Sequence, residues 1–503
     1  MVKYVRDMKN AVPKSRIWPV NHAPVNPNGR YVLYWMTANR RVCWNFSLDR
    51  AVEWALELKK PLMILEALRI GYPWASDRFH QFIMAGMVDN AAALKDQNVL
   101  YYPYLEPGED SDKGLLETLS RDACVVVTDD FPAFFLPRMI RSAAKKLPVR
   151  LEKVDGNGLL PMGNADRIFT TAYSFRRFLQ KNLLPGLAEC PNAFVFNEVS
   201  LEAPSAPLNE VREKWPPTSL EDLNTTGQIL KKLSIDHVVP PVPGEGGAVR
   251  GLKILDRFLK SGLSRYLEDR NQPDLAVTSG LSPYLHFGHI SAHEVFHAIA
   301  QKENWRAEKS AEKKTDGRRE GWWGMDPNAE AFLDQLITWR ELGFNMCRHN
   351  ENYDRYDTLP EWVQDTLGAH AKDKRPYVYS LEDFENAKTH DPLWNAAQNQ
   401  LVREGRIHNY LRMLWGKKIL HWTASVSEAL EIMIQLNNRY ALDGRDPNSY
   451  SGIFWVLGRY DRAWGPERPV FGKVRYMSSK NTARKIRTGE YVKKYASDKT
   501  EAM

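Results

Sequence analysis

The sequence predicts an α/β N-terminal domain on a doubly wound parallel sheet, followed by an all-α C-terminal domain. Three observations predict it. Between residues 30 and 175, short apolar runs alternate with segments of helical spacing, as in parallel strands covered on both faces. From residue 250 to 503 the periodicity is almost wholly helical. Between them, residues 176–249 are proline-rich (PSAP, WPP, VVPPVPGEGG) and weakly periodic, the mark of a connector. At 503 residues the chain is also long for one domain.

Residues 1–29 hold four prolines and no periodicity, and read as a flexible tail. YVLYWM (31–36) is a buried strand, 48–58 has helical spacing, and PLMILEAL (61–68) is a second buried strand. A helix at 80–94, a strand at 98–105 (NVLYYPYL) and a helix beginning within 114–120 follow. ACVVVTDD (123–130) is a strand ending in carboxylates, and VRLEKVD (149–155) is one more. No GxGxxG follows the first strand, so the usual dinucleotide fingerprint is missing. A parallel sheet still offers a pocket at its topological switch point. In the C-terminal part, 251–270 carries an apolar stripe, and helices are expected at 329–347, 395–404, 406–423 and 426–440. The charged stretch 302–328 reads as a loop or a short exposed helix.

A hydrophobic fraction of 43% permits a large core, and the net charge of +7 fits a polyanionic partner as well as it fits a mildly basic enzyme. Cys43, Cys124, Cys190 and Cys347 form no CxxC, which fits a reducing, cytoplasmic setting and excludes a disulfide framework. No apolar run approaches the roughly 18 residues needed to cross a bilayer. The first residues (MVKYVRDMKNAVPKSR) lack the apolar core of a secretion signal.

The segment 391–477 concentrates chemistry. It holds Trp394, Trp415, Trp422, Trp455 and Trp464 with interleaved Arg, Asn and Asp. Indoles beside groups that need hydrogen-bond partners suggest a buried, polar-rimmed aromatic ligand. In 406–423, Asn409, Arg412, Met413 and Gly416 share a helix face, and a mid-helix Gly suggests close approach by something flat. LNNRYALDGRDPN (436–448) places amides and carboxylates where they can meet a heteroaromatic edge, although Asx turns have the same composition. TSGLSPYLHFG (278–288) crowds hydroxyls and backbone amides before a helix, a pattern shared by phosphate sites and ordinary N-caps. HEVFH (293–297) matches the HExxH of zinc hydrolases. No Gly-xx-His extension follows, and a third ligand would have to be an arbitrary Glu such as Glu320, so no metal site is expected.

These motifs together resemble a known family. DPLWNAAQ, RMLWGKKILHW, LDGRDPN, WGPERPVFGK and VRYM look like the class II cyclobutane pyrimidine dimer photolyases. TSGLSPYLHFGHIS resembles the flavin-phosphate segment of photolyases and cryptochromes, and YVLYWM resembles the class II first strand. The resemblance covers about residues 30–495. It implies a U-shaped FAD, working as the reduced anion, in a light-driven lyase that repairs dimer-containing DNA. The alternative is a cryptochrome-like photoreceptor without repair.

By similarity, Tyr266, Thr278, Ser279, Gly280, Leu281 and Ser282 would hold the FAD phosphates. Arg340, Asn409, Arg412, Asn437 and Asp443 would surround the isoalloxazine, with Arg412 paired to Asp443 and Asn437 near flavin N5. Trp415, Trp394 and Trp422 match the chain that reduces resting flavin under light. Gln335, Trp339, Met413, Trp455 and Arg475 would face the extruded lesion and its DNA, with Lys480, Arg484, Lys485 and Arg487 near phosphates. The family usually reads EEL where this chain has Asp334-Gln335-Leu336, and Gly where it has Asn409. The resemblance further implies a monomer, and leaves room for a second, antenna chromophore without identifying it.

Overall fold

The protein is described from a computed structural model, covering residues 12–108, 113–204 and 209–496. Residues 1–11 of the expected tail lie outside the described part. Six strands form one sheet: β1 (Ile17–Pro19), β2 (Tyr31–Met36), β3 (Leu62–Leu68), β4 (Val99–Leu105), β5 (Ala123–Asp129) and β6 (Leu151–Val154). Their order is β1-β6-β5-β2-β3-β4. β2 to β6 are mutually parallel, and β1 runs antiparallel along β6. Strands β2 and β5 are buried at every residue, which is why they read as unbroken apolar runs. The segment before residue 30 is therefore more than a tail: Arg16 donates to the carbonyls of Asp155, Gly158 and Leu159 and anchors β1 to the sheet edge.

The carboxylate predicted at the end of β5 ties down the loop that leaves β2. Asp129 accepts from the backbone N–H groups of Thr37, Ala38 and Asn39 at 2.8, 2.8 and 3.0 Å. From this loop, Arg41 donates to the carbonyl of Gly288 at 3.0 Å, joining the sheet to the helical part. Gly288 has φ +71°, and a Cβ there would sit 1.9 Å from the Ala38 carbonyl, so this contact requires glycine.

The connector begins as a helix, Ala172–Leu187, and continues in short helical pieces. It is pinned where Arg78 takes the carbonyl of Pro240 and where Val239 is fully buried. The 251–270 stripe is a helix, Ala248–Arg257, that passes into a π turn, Phe258–Gly262, and a 3-10 turn. The charged stretch 302–328 is docked rather than loose. Trp305, Trp322 and Trp323 are buried, and the Trp305 indole donates to the Trp323 carbonyl. Its Gly317 meets Gln180 and Arg176 of the connector helix.

The expected 329–347 helix is Pro327–Leu333, a π-helical segment Asp334–Trp339, and Arg340–His349. The helices Pro392–Glu404, Asn409–His421 and Val426–Tyr440 fall where the periodicity places them. A helix over Pro447–Leu457 is additional: Asp446 caps it and Pro447 opens it. Among the described residues, no helix is long and apolar enough to cross a membrane.

Candidate active site

The Asn409–His421 helix is the spine of the site. Its Arg412 reaches Asp443, in the turn after Tyr440, with Nη2 at 2.9 and 3.3 Å from the two carboxylate oxygens. Burial pushes the Asp443 carboxyl up, but the Arg412 guanidinium and the Ser282 hydroxyl outweigh it and hold it below its usual range. Ser282 thereby joins the 278–288 segment to the 436–448 turn. Asn437 is buried on the Val426–Tyr440 helix and donates to Asn438 and to Ser449 at 2.9 Å. His286 meets Asp446 at 3.2 Å, and burial keeps its imidazole below the usual pKa.

The remaining residues of the same expectation are spread around this cluster. Arg340 is buried, donates to the Asn157 carbonyl at 2.7 Å and feels the charge of Asp446. Tyr266 lies in an aromatic cluster with Phe258 and Phe332. Leu281 has its side chain in the core, so only its backbone is free to meet a ligand. Thr278, Ser279 and Gly280 are part-exposed, Ser282 is exposed, and Asn409 is exposed in the first turn of its helix.

Two glycines test whether something flat belongs here. A Cβ on Gly416 would come within 2.6 Å of Val456 and 3.1 Å of the Met433 sulfur, so Gly416 serves helix–helix packing. The reading of Gly416 as a ligand contact is corrected by that geometry. Gly452 answers the description instead: in the middle of Pro447–Leu457, between buried Ser451 and Ile453, its Cβ would meet nothing within 4 Å. The Arg412 Nε is buried with no hydrogen-bond partner. Open space beside a helix backbone, an unsatisfied guanidinium N–H, an ion pair and a buried amide suit a flat heteroaromatic with polar edges. The residues present therefore fit a flavin.

From the same helix a line of indoles leads outward. The Trp394 indole donates to the Trp415 carbonyl at 3.0 Å, and the Trp415 indole donates to Gln398 at 2.9 Å. Trp394 and Trp422 meet edge-on at 6.2 Å, and the Lys418 ammonium lies 5.0 Å above Trp422. All three rings are fully buried.

A second surface gathers elsewhere. Gln335 and Trp339, the part-exposed residues of the π segment, lie on one face, and Trp339 stacks on Trp455. Met413, on the Asn409–His421 helix, is partly buried against the core that holds Trp394, Trp415 and Trp422. Arg475 lies over Trp464 and lines a groove of about 260 Å³ with Arg468 and Lys485. A larger cavity, about 440 Å³, opens at the C-terminal edge of the sheet among Trp35, Leu65, Tyr104, Phe131 and Phe134, and extends to Arg445. It spans the ends of β2 and β5, where the strand order reverses. The HEVFH histidines pack on rings: His293 edge-on to Phe46, His297 tilted on Trp44.

Sequence reasoning missed Ser449, Asp446 and Gly452, because the Pro447–Leu457 helix was not anticipated. The Asp-Pro pair at its start was the available signal.

No protein-family model matches the chain. It is 34% identical to a deoxyribodipyrimidine photo-lyase of Methanothermobacter thermautotrophicus, over 95% of this chain and 97% of that one. It is 33% identical to the deoxyribodipyrimidine photo-lyase of Potorous tridactylus, over 92% of this chain and 80% of the relative. A bacterial class III photolyase from Agrobacterium tumefaciens shares the fold, with a TM-score of 0.65 and 17% identity over 93% of this chain and 86% of that one.

Proposed function

The chain belongs to the photolyase/cryptochrome family, and on that premise we propose that it is a light-driven DNA repair enzyme that splits cyclobutane pyrimidine dimers. The observation that carries the reading is one run of contacts. It passes from Ser282 through Asp443 to Arg412, and along Arg412's own helix to Trp415, Trp394 and Trp422. Members of this family bind FAD. Held here as the reduced anion, FAD would supply photoexcited one-electron chemistry for opening the cyclobutane ring, with no net redox change.

The chain's own residues do the rest. Tyr266, Thr278, Ser279, Gly280 and Ser282, with the Leu281 backbone, hold the phosphates. Arg412, fixed by Asp443, sets a positive charge beside the ring, and Arg340 and Asn409 complete its surround. Asn437 would present an uncharged amide to the ring, which does not repel an anion as a carboxylate would. Its amide is held by Ser449, so its orientation is set before the cofactor arrives. Trp415, Trp394 and Trp422 pass electrons inward to resting flavin, a task separate from repair.

On the other surface, Trp339, Met413 and Trp455 offer apolar faces to a flipped-out dimer and replace its lost stacking. Gln335 offers it a neutral hydrogen bond. Arg475 and the basic Ser479–Lys485 helix meet phosphates and make affinity salt-dependent. We assign the cavity at the sheet edge to a second, light-harvesting chromophore, since its size and apolar lining suit an aromatic ligand. The reading is of a monomer working in the cytoplasm.

The test is illumination of the reduced, FAD-loaded protein with dimer-containing DNA, following recovery of base absorbance. Recovery in light and none in the dark is expected. FAD bound and reduced without recovery would leave the photoreceptor reading in its place.

A further inference from the structure

The residue that begins the π segment is tied to two parts of the chain outside the site. Asp334 is buried and accepts from Arg176, with Nε 2.8 Å from one carboxylate oxygen and Nη2 3.2 Å from the other. Such a two-point grip fixes direction as well as distance. Arg176 belongs to the connector helix Ala172–Leu187, is itself buried, and donates through Nη1 to the Gly317 carbonyl at 3.1 Å. One turn on, Gln180 accepts from the Gly317 N–H at 2.8 Å and donates to the Arg318 carbonyl at 3.0 Å. Both backbone groups of Gly317 are thus held by one helix face. Gly317 has φ +84°, and a Cβ there would sit 3.0 Å from the Tyr173 carbonyl, so the turn lies this close only as glycine. The stretch 302–328 is clamped to the connector helix, and the connector helix to Asp334.

We propose that Arg176 is a positioning residue for lesion recognition: with the docked 302–328 stretch behind it, it holds the register of the π segment so that Gln335 and Trp339 face the DNA. The proposal rests on reading those two residues as lesion contacts. A π turn holds an extra residue within an α-helix, a rare arrangement. Passing that residue one position along the helix would turn the side chains it passes by about 100° about the axis. Gln335 and Trp339, part-exposed on one face, would leave that face, and their buried neighbours Leu336 and Ile337 would be carried with them. Asp334 stands at the start of the segment. Its carboxylate cannot turn away from Arg176 without leaving two buried charges apart.

The support behind Arg176 is continuous. Glu330, one turn before Asp334, accepts from the backbone N–H groups of Gly321 and Met325, the second at 3.2 Å. Trp322 and Trp323, between those two, are buried. The 302–328 stretch is therefore bonded both to the helix that leads into the π segment and to the connector helix beside it. At its other end the segment is held by the stacking of Trp339 on Trp455. Of the two pins, only that stack lies on the lesion surface. A buried ion pair adds little net stability over an apolar pair of the same shape, because desolvation offsets the attraction. What Arg176 and Asp334 add is a fixed direction at the place where the register is set.

The experiment titrates the full, FAD-loaded chain in the dark with dimer-containing and with undamaged duplex, at one salt concentration, beside urea denaturation of the same proteins without flavin. The double variant Arg176→Met, Asp334→Leu removes both charges together. It should keep wild-type stability and wild-type affinity for undamaged DNA, yet lose about tenfold in affinity for the dimer, the usual worth of one stacked base. Arg176→Lys keeps the charge balanced but not the two-point grip, so it should show the same split to a smaller degree, even where the double variant fails to fold. Gly317→Ala, which pushes the clamped turn off the connector helix, should shift dimer affinity in the same direction. Wild-type dimer affinity in folded Arg176 variants overturns the proposal and leaves Gln335 and Trp339 as lesion contacts. Equal losses on both DNAs that follow a loss of stability overturn it too, since the pair is then structural only. A wild type with no preference for the dimer overturns the lesion reading, and the proposal with it.

Discussion

The indoles of Trp339 and Trp455 stack on each other, with 4.8 Å between centroids and 25° between planes. They come from different elements, the π segment Asp334–Trp339 and the helix Pro447–Leu457. π segments in α-helices are frequent at functional sites, because the extra residue re-aims the side chains around it. At this separation no base fits between the rings, so a flipped dimer would lie on their outer face. Trp455→Ala should then lower affinity for dimer-containing DNA by about 1–3 kcal/mol, the usual worth of a stacked base. Affinity for undamaged DNA, carried by phosphate contacts, should hardly change. Titration of both DNAs at one salt concentration checks this, and equal losses on the two would remove Trp455 from the lesion surface.

The Arg412–Asp443 pair should link stability to pH. The folded-state pKa of Asp443 is depressed, so the carboxylate's contribution is present above its unfolded pKa and is lost as pH falls through the folded value. Asp443→Asn should cost about 3 kcal/mol at neutral pH, because it leaves a largely buried guanidinium unbalanced. The gap from wild type should close only on acidification through the carboxylate range. Urea denaturation of the flavin-free protein across pH measures it without involving the cofactor.

Trp415→Phe separates the two electron paths. Light-driven reduction of resting flavin should be abolished, while repair by chemically reduced enzyme stays largely intact. Both are read on the same flavin-loaded sample. Loss of both in a folded variant would mean that Trp415 supports the flavin rather than feeding it.

The sheet was legible because its strands are buried on both faces, so their apolar runs stand out from any register. β1 was not, because three residues, IWP, carry no period and depend on Arg16 reaching across the sheet edge. The charged 302–328 stretch misled for a related reason: its local composition is polar, and its three buried tryptophans find their partners only in the folded protein. In the site, Arg412, Asp443 and Asn437 could be named from motif and resemblance, but their joining through Ser282 and Ser449 could not. Gly416 and Gly452 mark the limit most clearly, since sequence gives no way to tell a glycine facing a neighbouring helix from one facing open space.

Those two glycines make opposite predictions. Alanine at Gly416 would push against Val456 and Met433 across two helix contacts, and overpacking of this kind costs about 1–3 kcal/mol. Gly416→Ala should therefore lower the stability of flavin-free and flavin-bound protein alike. Alanine at Gly452 meets no atom, and in a helix interior it should stabilise the flavin-free protein by about 0.5–1 kcal/mol. If the open space is where the flat ring lies, the added methyl occupies it, and Gly452→Ala should release FAD more readily than wild type does. Denaturation of flavin-free protein and FAD titration, run on both variants, give the comparison. Undiminished FAD affinity in Gly452→Ala would place the ring elsewhere along the Pro447–Leu457 helix, whereas a stability gain paired with an affinity loss would fix it against this turn.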